Sequence, residues 1–218
     1  MFDAAIFDWD GTLADTRKAI VIAFQKTLNE IHIKVTDEYI ERRIGIGAAD
    51  TFRDVFKSKN QQLDEDLVKR LVNRKSEIEI QLADQISLFA GAKELLQALD
   101  GKLKMGLASM NNRSVILHLI KDKEVAQYFS VVLTAESISH SKPNPEIFLK
   151  TAQKLDAKPG RCVVFEDSIF GVQAAKSAEM SCVSVTTGVY SKQELLLMYP
   201  DLVVASLGDK RIIPFVLR

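Results

Sequence analysis

Charge of one sign is missing from this sequence: 29 Lys and Arg stand against 29 Asp and Glu in 218 residues, leaving a formal net charge of zero. Partners such as nucleic acid or an anionic membrane usually select a basic excess or a basic tract, so the balance removes the electrostatic case for both. Cysteine is almost missing as well. The two present, Cys162 in Cys-Val-Val-Phe and Cys182 in Cys-Val-Ser-Val, exclude a small disulfide-held scaffold and read as buried strand thiols of a reducing compartment. No run reaches the roughly 18 apolar residues of a membrane span, and the N-terminal Met-Phe-Asp-Ala-Ala-Ile-Phe-Asp has an acid at Asp3 and no basic region. The expectation is a cytoplasmic protein without a targeting segment. Repeats and low-complexity linkers are also absent.

What is present is an ordinary globular composition, 47% apolar and 27% charged. At roughly 100 to 200 residues per domain, the length suits one large domain, or a moderate one with a smaller attachment. The apolar run Ala4 to Phe7 followed by Trp9-Asp10-Gly11-Thr12 predicts a buried strand ending in a turn. From Thr16 to about Asp84 the pattern changes to helical spacing, with Ile20, Phe24, Leu28 and Ile31 and then Leu63, Leu67, Leu71, Ile78 and Leu82, and predicts helix throughout. Asp66 with Arg70 and Glu65 with Lys69 are spaced for i, i+4 pairs on a solvent face.

After Gly91 helix and strand alternate: helices over Ala92 to Leu99, Ser114 to Ile120, Pro145 to Leu155 and Ile169 to Ala178, and strands over Leu103 to Ala108, Val131 to Leu133, Cys162 to Phe165, Cys182 to Val185 and Leu202 to Val204. Such alternation predicts an α/β fold, a Rossmann-like doubly wound parallel sheet covered on both faces. The expected division is a core of residues 1–15 and 85–218 interrupted by a helical insertion, 16–84.

Ligands of an open parallel sheet bind at the carboxyl ends of its strands, and here those ends carry an ordered set of polar groups. The first strand ends in Asp8 and Asp10, the strand near Leu107 in Ser109, the segment after Val131 to Leu133 leads to Lys142, and Cys162 to Phe165 ends in Glu166-Asp167. Four carboxylates at one edge call for a hard, oxygen-preferring cation such as Mg2+, which also attracts phosphate oxygens. Lys142, the Ser109 hydroxyl and the amides after it would cradle a phosphate. Taken singly, an Asp at a strand end is most often a cap or turn residue and a Lys there is usually solvated. Taken as a set at successive strand ends, they outline a phosphoryl-transfer site. Gly45-Ile46-Gly47 resembles a dinucleotide loop, but Asp50 stands where the last glycine belongs and no strand precedes it. His32, His118 and His140 have no metal-ligand spacing.

Asp8-Trp9-Asp10-Gly11-Thr12-Leu13, Ser109, Lys142 and Glu166-Asp167, in that order, resemble the four motifs of the haloacid dehalogenase superfamily over essentially the whole chain. Ser141-Lys142-Pro143-Asn144-Pro145 and Gly171 after Glu166-Asp167-Ser168 resemble its branch with a helical C1-type cap between the first two motifs, which the insertion at 16–84 fits. The resemblance implies Asp8 as nucleophile, forming an aspartyl-phosphate, and Asp10 as general acid and then base. It implies Mg2+ on the Asp8 and Asp167 carboxylates and the Asp10 backbone carbonyl, with Glu166 beside the ion. Ser109, the Met110 amide and Lys142 would hold the transferring phosphoryl group.

The same resemblance implies phosphoester rather than carbon–halogen chemistry, because position 10 is an acid. Arg43-Ile44-Gly45-Ile46-Gly47 and Val185-Thr186-Thr187-Gly188 look more like phosphoglycolate phosphatases than beta-phosphoglucomutases, which place a histidine five positions beyond the residue matching Asp15, where this chain has Ile20. The expected activity is therefore hydrolysis of a small phosphorylated metabolite, with a sugar-phosphate mutase as alternative and a phosphorylated receiver-like signalling domain as a remoter one. Specificity is expected from the cap, with Arg43 as candidate substrate contact and Gly45 and Gly47 letting backbone reach the crevice. Hinges are expected near Ala14 to Thr16 and Asp84 to Ala90. A monomer is expected, with a homodimer compatible.

Overall fold

The computed structural model describes residues 1–217. Strand β1 (Ala4–Phe7) is buried along its whole length, and its alternation divides it between two cores, with Ala5 and Phe7 on one face of the sheet and Ala4 and Ile6 on the other. Burial on both faces is the condition of a parallel strand covered by helices on each side. A short strand β2 (Ala14–Asp15) leads into helices α1 (Arg17–Glu30), α2 (Asp37–Glu41), α3 (Ala48–Ser58) and α4 (Glu65–Gln81), and the chain returns through β3 (Ser87–Leu88), antiparallel to β2. Alternation follows: α5 (Ala92–Leu99), β4 (Lys104–Ala108), α6 (Arg113–Asp122), β5 (Val131–Leu133), α7 (Glu146–Lys154), β6 (Cys162–Glu166), α8 (Ile169–Ser177), β7 (Ser181–Val185), α9 (Lys192–Leu196), β8 (Leu202–Val204) and α10 (Ile212–Val216).

Six strands form one parallel sheet in the order β5-β4-β1-β6-β7-β8. The chain departs from β1 toward both edges, so β1 lies at the switch point where open α/β sheets bind ligands. The register matches Phe7 with Leu107 on β4 and with Phe165 on β6, so Asp8, Ala108 and Glu166 reach the carboxyl edge level with one another. Phe7 and Phe165 stack at 4.5 Å beneath them. Helices α5, α6 and α10 supply one core, and α7, α8 and α9 the other.

The four inserted helices have a core of their own, in which Ile20, Phe24 and Leu28 of α1 meet Phe52, Val55 and Phe56 of α3 and Leu71 of α4. Helix throughout 16–84 is not what forms. Turns at 31–36, 42–47 and 59–64 divide the segment, and Gly45 and Gly47 take φ of 110° and 96°, which no helix admits. The two expected surface pairs also differ: Glu65 receives Arg53 of α3 at 2.8 Å rather than Lys69, and Asp66 has Lys69 at 3.8 Å rather than Arg70. The stretches read as hinges contain the β2–β3 ribbon. Cys162 and Cys182 are free and buried; burial pushes the Cys162 thiol up to about 11 and raises that of Cys182 well above its usual value. No helix among the described residues is long and apolar enough to cross a membrane.

Candidate active site

The carboxyl edge brings three carboxylates and one ammonium into a buried cluster. Lys142 Nζ donates to Asp8 Oδ1 at 2.7 Å and to Glu166 Oε1 at 2.6 Å. Burial alone would lower the Lys142 pKa, but the charges of Asp8 and Glu166 outweigh it and hold the ammonium protonated far above neutrality. Glu166 is otherwise saturated, its Oε2 accepting from the amides of Asp167 and Ser168 at 3.0 Å and from Ser168 Oγ at 3.1 Å. That grip depends on Gly171 in the first turn of α8, where a Cβ would overlap the Glu166 carboxylate. Ser168 caps the helix by accepting from the Gly171 amide at 3.0 Å.

Carboxylate oxygens of Asp8, Glu166 and Asp167 lie within 4.8 Å of one another. Burial holds the carboxyls of both Asp8 and Asp167 well above the usual carboxylate range, and their acidic neighbours push further the same way. Ionising them together therefore needs a cation besides Lys142. Asp167 Oδ1 accepts from Thr12 Oγ1 at 2.8 Å, which leaves Oδ2 of Asp167, like Oδ2 of Asp8, without a protein donor among the described residues. Two such oxygens facing one crevice are a hard-cation donor set of the kind Mg2+ prefers. Glu166, with its oxygens filled, fits behind that ion rather than on it.

Asp10 stands on the other side of the crevice. Ser109 Oγ donates to its Oδ2 at 3.3 Å, and Asn111 Nδ2 to its Oδ1 at 3.3 Å. Burial, then the negative charge of Glu79, raises its pKa to about 6, with Lys75 pulling the other way. The Ser109 hydroxyl also accepts from the Asn111 amide at 3.0 Å. Met110 is buried and faces the crevice beside them.

Helices α1, α3 and α4 close over Asp10 and leave a narrow chamber of about 30 Å³, which Ile20, Phe24, Arg43, Thr51 and Lys75 help to line. The Gly45–Gly47 loop forms its rim. A Cβ on Gly45 would lie 2.9 Å from Ser168 Oγ, and one on Gly47 would lie 3.2 Å from the Met110 carbonyl, so only glycine lets this loop approach the sheet edge so closely. Arg43 lines the chamber but is engaged within the insertion: its Nε donates to Asp54 at 3.1 Å, its Nη1 donates to the Tyr39 carbonyl at 3.1 Å, and it covers the Tyr39 ring at 3.6 Å. Neighbouring Arg42 reaches the core, where it pairs with Glu194 at 2.5 Å, lies over Tyr190 at 4.4 Å and accepts at its carbonyl from Tyr190 Oη at 2.6 Å.

Three residues of this constellation escaped the sequence reading. Lys75 and Glu79, on the buried face of α4, form an ion pair, and Asn111 bridges them to Asp10. The signal was there: position 75 continues the stripe of Leu67, Leu71, Ile78 and Leu82, so a lysine in it interrupts an apolar face.

The sequence profile described as haloacid dehalogenase-like hydrolase matches residues 5–185. The chain is 27% identical over 183 residues to the fructose-1-phosphate phosphatase YqaB of Escherichia coli, covering 83% of this chain and 94% of that one. It is 28% identical over 180 residues to a phosphorylated carbohydrates phosphatase of Thermotoga maritima, covering 81% of each. Among solved structures, a beta-phosphoglucomutase of Clostridium difficile superposes with a TM-score of 0.87 at 26% identity, over 100% of this chain and 97% of that one.

Proposed function

The chain belongs to the haloacid dehalogenase-like hydrolases, and from that premise we propose that it is a Mg2+-dependent phosphatase that hydrolyses a small phosphorylated metabolite through an aspartyl-phosphate on Asp8. The observation that carries the reading is the pairing of Asp8, one oxygen held by Lys142 and the other open, with Asp10, protonated up to about pH 6 across the same crevice.

Asp8 Oδ2 attacks phosphorus, the Asp8–phosphorus bond forms and the ester bond breaks. The departing alkoxide takes the proton of Asp10. Asp10, now ionised, removes a proton from water as the water attacks phosphorus, the acyl-phosphate bond breaks, and inorganic phosphate leaves with Asp8 restored. Ser109, the Met110 amide and Lys142 hold the phosphoryl oxygens through both steps. Asp8, Asp167 and the Asp10 carbonyl would hold the Mg2+, with Glu166 fixing Lys142 and the loop behind. When bound, the ion supplies the positive charge that lets these carboxylates share the crevice with a phosphate. Helices α1 to α4 act as the cap that excludes water and meets the rest of the substrate.

Ile20, buried in the chamber wall, supports hydrolysis over the mutase alternative, since an isoleucine cannot shuttle a proton to a sugar hydroxyl. Asp10 equally supports hydrolysis over a persistent phosphoprotein. Neither nucleic acid nor membrane is part of this reading. The test is phosphate release from p-nitrophenyl phosphate with Mg2+, then from a panel of phosphoglycolate, hexose phosphates, nucleotides and pyrophosphate. Asp8→Asn is expected to lower turnover by at least about 10³-fold. Undiminished turnover in that variant, or no turnover of any small phosphomonoester, would sink the proposal.

A further inference from the structure

If Asp10 protonates the leaving oxygen, the portion of a substrate beyond its phosphate enters the chamber above Asp10, whose charged lining among the described residues is Asp10, Arg43 and Lys75. Both cations are already committed. Lys75 is 3% exposed, and its ammonium contacts the Glu79 carboxylate and Asn111 Oδ1, the latter at 3.1 Å. Glu79, 0% exposed, sits behind it and accepts a second hydrogen bond from Asn111 Nδ2 at 2.8 Å. Arg43 is held by Asp54 and the Tyr39 carbonyl. Two cations thus meet three carboxylates, and no positive charge is left over for an anionic tail.

The hydrogen-bonding chemistry points the same way. The Asp10 proton is reserved for the leaving oxygen, and Thr51 Oγ1 already spends its own on the Gly47 carbonyl at 2.8 Å. A carboxylate, which only accepts, finds few donors here, whereas a hydroxyl both donates and accepts. A buried ion pair is also a poor device for stability, because desolvation offsets most of its attraction. Its place at the chamber wall is better accounted for by what it does to the charge there. With both partners one turn apart on α4, the pair persists however the helix moves against the core.

We propose that Glu79 is a specificity-determining residue: by neutralising Lys75 it selects phosphate esters whose other portion is uncharged and hydroxyl-bearing, a small polyol or sugar, and rejects those ending in a carboxylate or second phosphate. The proposal rests on the phosphomonoester reading and narrows it, away from a phosphoglycolate-like substrate.

The experiment measures binding by calorimetry of two phosphonates of matched length, hydroxyethylphosphonate and phosphonoacetate, with p-nitrophenyl phosphate turnover followed alongside. The wild-type protein is expected to favour the hydroxyl compound by about tenfold, the factor that 1.4 kcal/mol represents. Glu79→Gln frees the ammonium and is expected to reverse the preference. Glu77→Gln, on the exposed face of α4 and paired with Arg74 at 3.1 Å, is expected to leave it unchanged. Because Glu79→Gln strands a buried charge and can fail to fold, Lys75→Met combined with Glu79→Gln supplies a neutral version, expected to keep the wild-type preference. A wild type that binds phosphonoacetate as well, a folded Glu79→Gln with an unaltered ratio, or a double variant with a changed one overturns the proposal. Turnover without a shift in ratio defeats this inference alone, and a shift in ratio without turnover defeats the hydrolase reading alone.

Discussion

Asp10 sits where an ionised carboxylate costs the fold stability. Its folded pKa of about 6 exceeds the ordinary 3.8, chiefly through burial and then through Glu79, so the folded state binds the proton more tightly than the unfolded chain does. The resulting contribution is complete below about pH 4 and is lost as pH rises through 6. Asp10→Asn removes that loss. In the presence of a chelator, the variant is expected to be more stable than wild type by about 3 kcal/mol at pH 7.5, on the scale of about 1.4 kcal/mol per pKa unit, with the difference closing near pH 4. Thermal unfolding across pH checks it, and a gap that widens on acidification contradicts it. Residues such as Asp8, Asp10, Lys142 and Asp167 were legible in the sequence because each follows an apolar strand run or a stiff loop. Lys75, Glu79 and Asn111 were not, since their significance lies in meeting Asp10 across the chamber, and single-chain spacing carries no information on that meeting.

Among the elements, the β6–α8 junction sets the geometry of the cluster. Strand β6 delivers Glu166, its turn supplies the two amides that hold Oε2, and Gly171 leaves the space. Gly171→Ala would push the carboxylate off Lys142 and displace Asp8 with it. Overpacking of this kind costs about 1–3 kcal/mol of stability, and an ångström of misplacement can cost about 10² in rate. The variant is expected to remain folded with turnover reduced by about that factor; wild-type turnover would contradict the assignment of Glu166 as the anchor of Lys142. Strands and helices of the sheet region were readable because period two and period 3.6 are local properties. The segment at 16–84 was readable as helical but not as four helices, because each of its breaks is a turn with left-handed backbone, at His32, at Gly45 and Gly47 and at Asn60, which apolar periodicity does not mark. Likewise Glu65 was matched with Lys69 on local spacing, yet Arg53 from another helix reaches it first.

For the whole molecule, the proposed Mg2+ site would link stability to metal. A cation that binds only the folded state adds RT ln(1 + [L]/Kd), about 2.7 kcal/mol at a hundredfold excess over Kd. Mg2+ is therefore expected to raise the melting temperature in a concentration-dependent way, and Asp167→Asn to abolish most of the rise. An equal shift in that variant would place the ion elsewhere. Arg42, pinned between Glu194 and Tyr190, joins the inserted helices to the core at a second point beyond the β2–β3 ribbon.

By itself the sequence determined that the chain forms a two-sided parallel sheet with a helical insertion, and which carboxylates, hydroxyl and lysine stand at the strand ends, because apolar periodicity and the polar residues that terminate it are written along one dimension. Only the tertiary structure decided that β1 lies between β4 and β6, that Lys142 bridges Asp8 and Glu166, and that Glu79 cancels Lys75 above Asp10. Strand order and long-range pairing follow from packing residues far apart in sequence, such as Thr12 and Asp167, 155 positions apart, and burial then converts those meetings into the charge balance of the site.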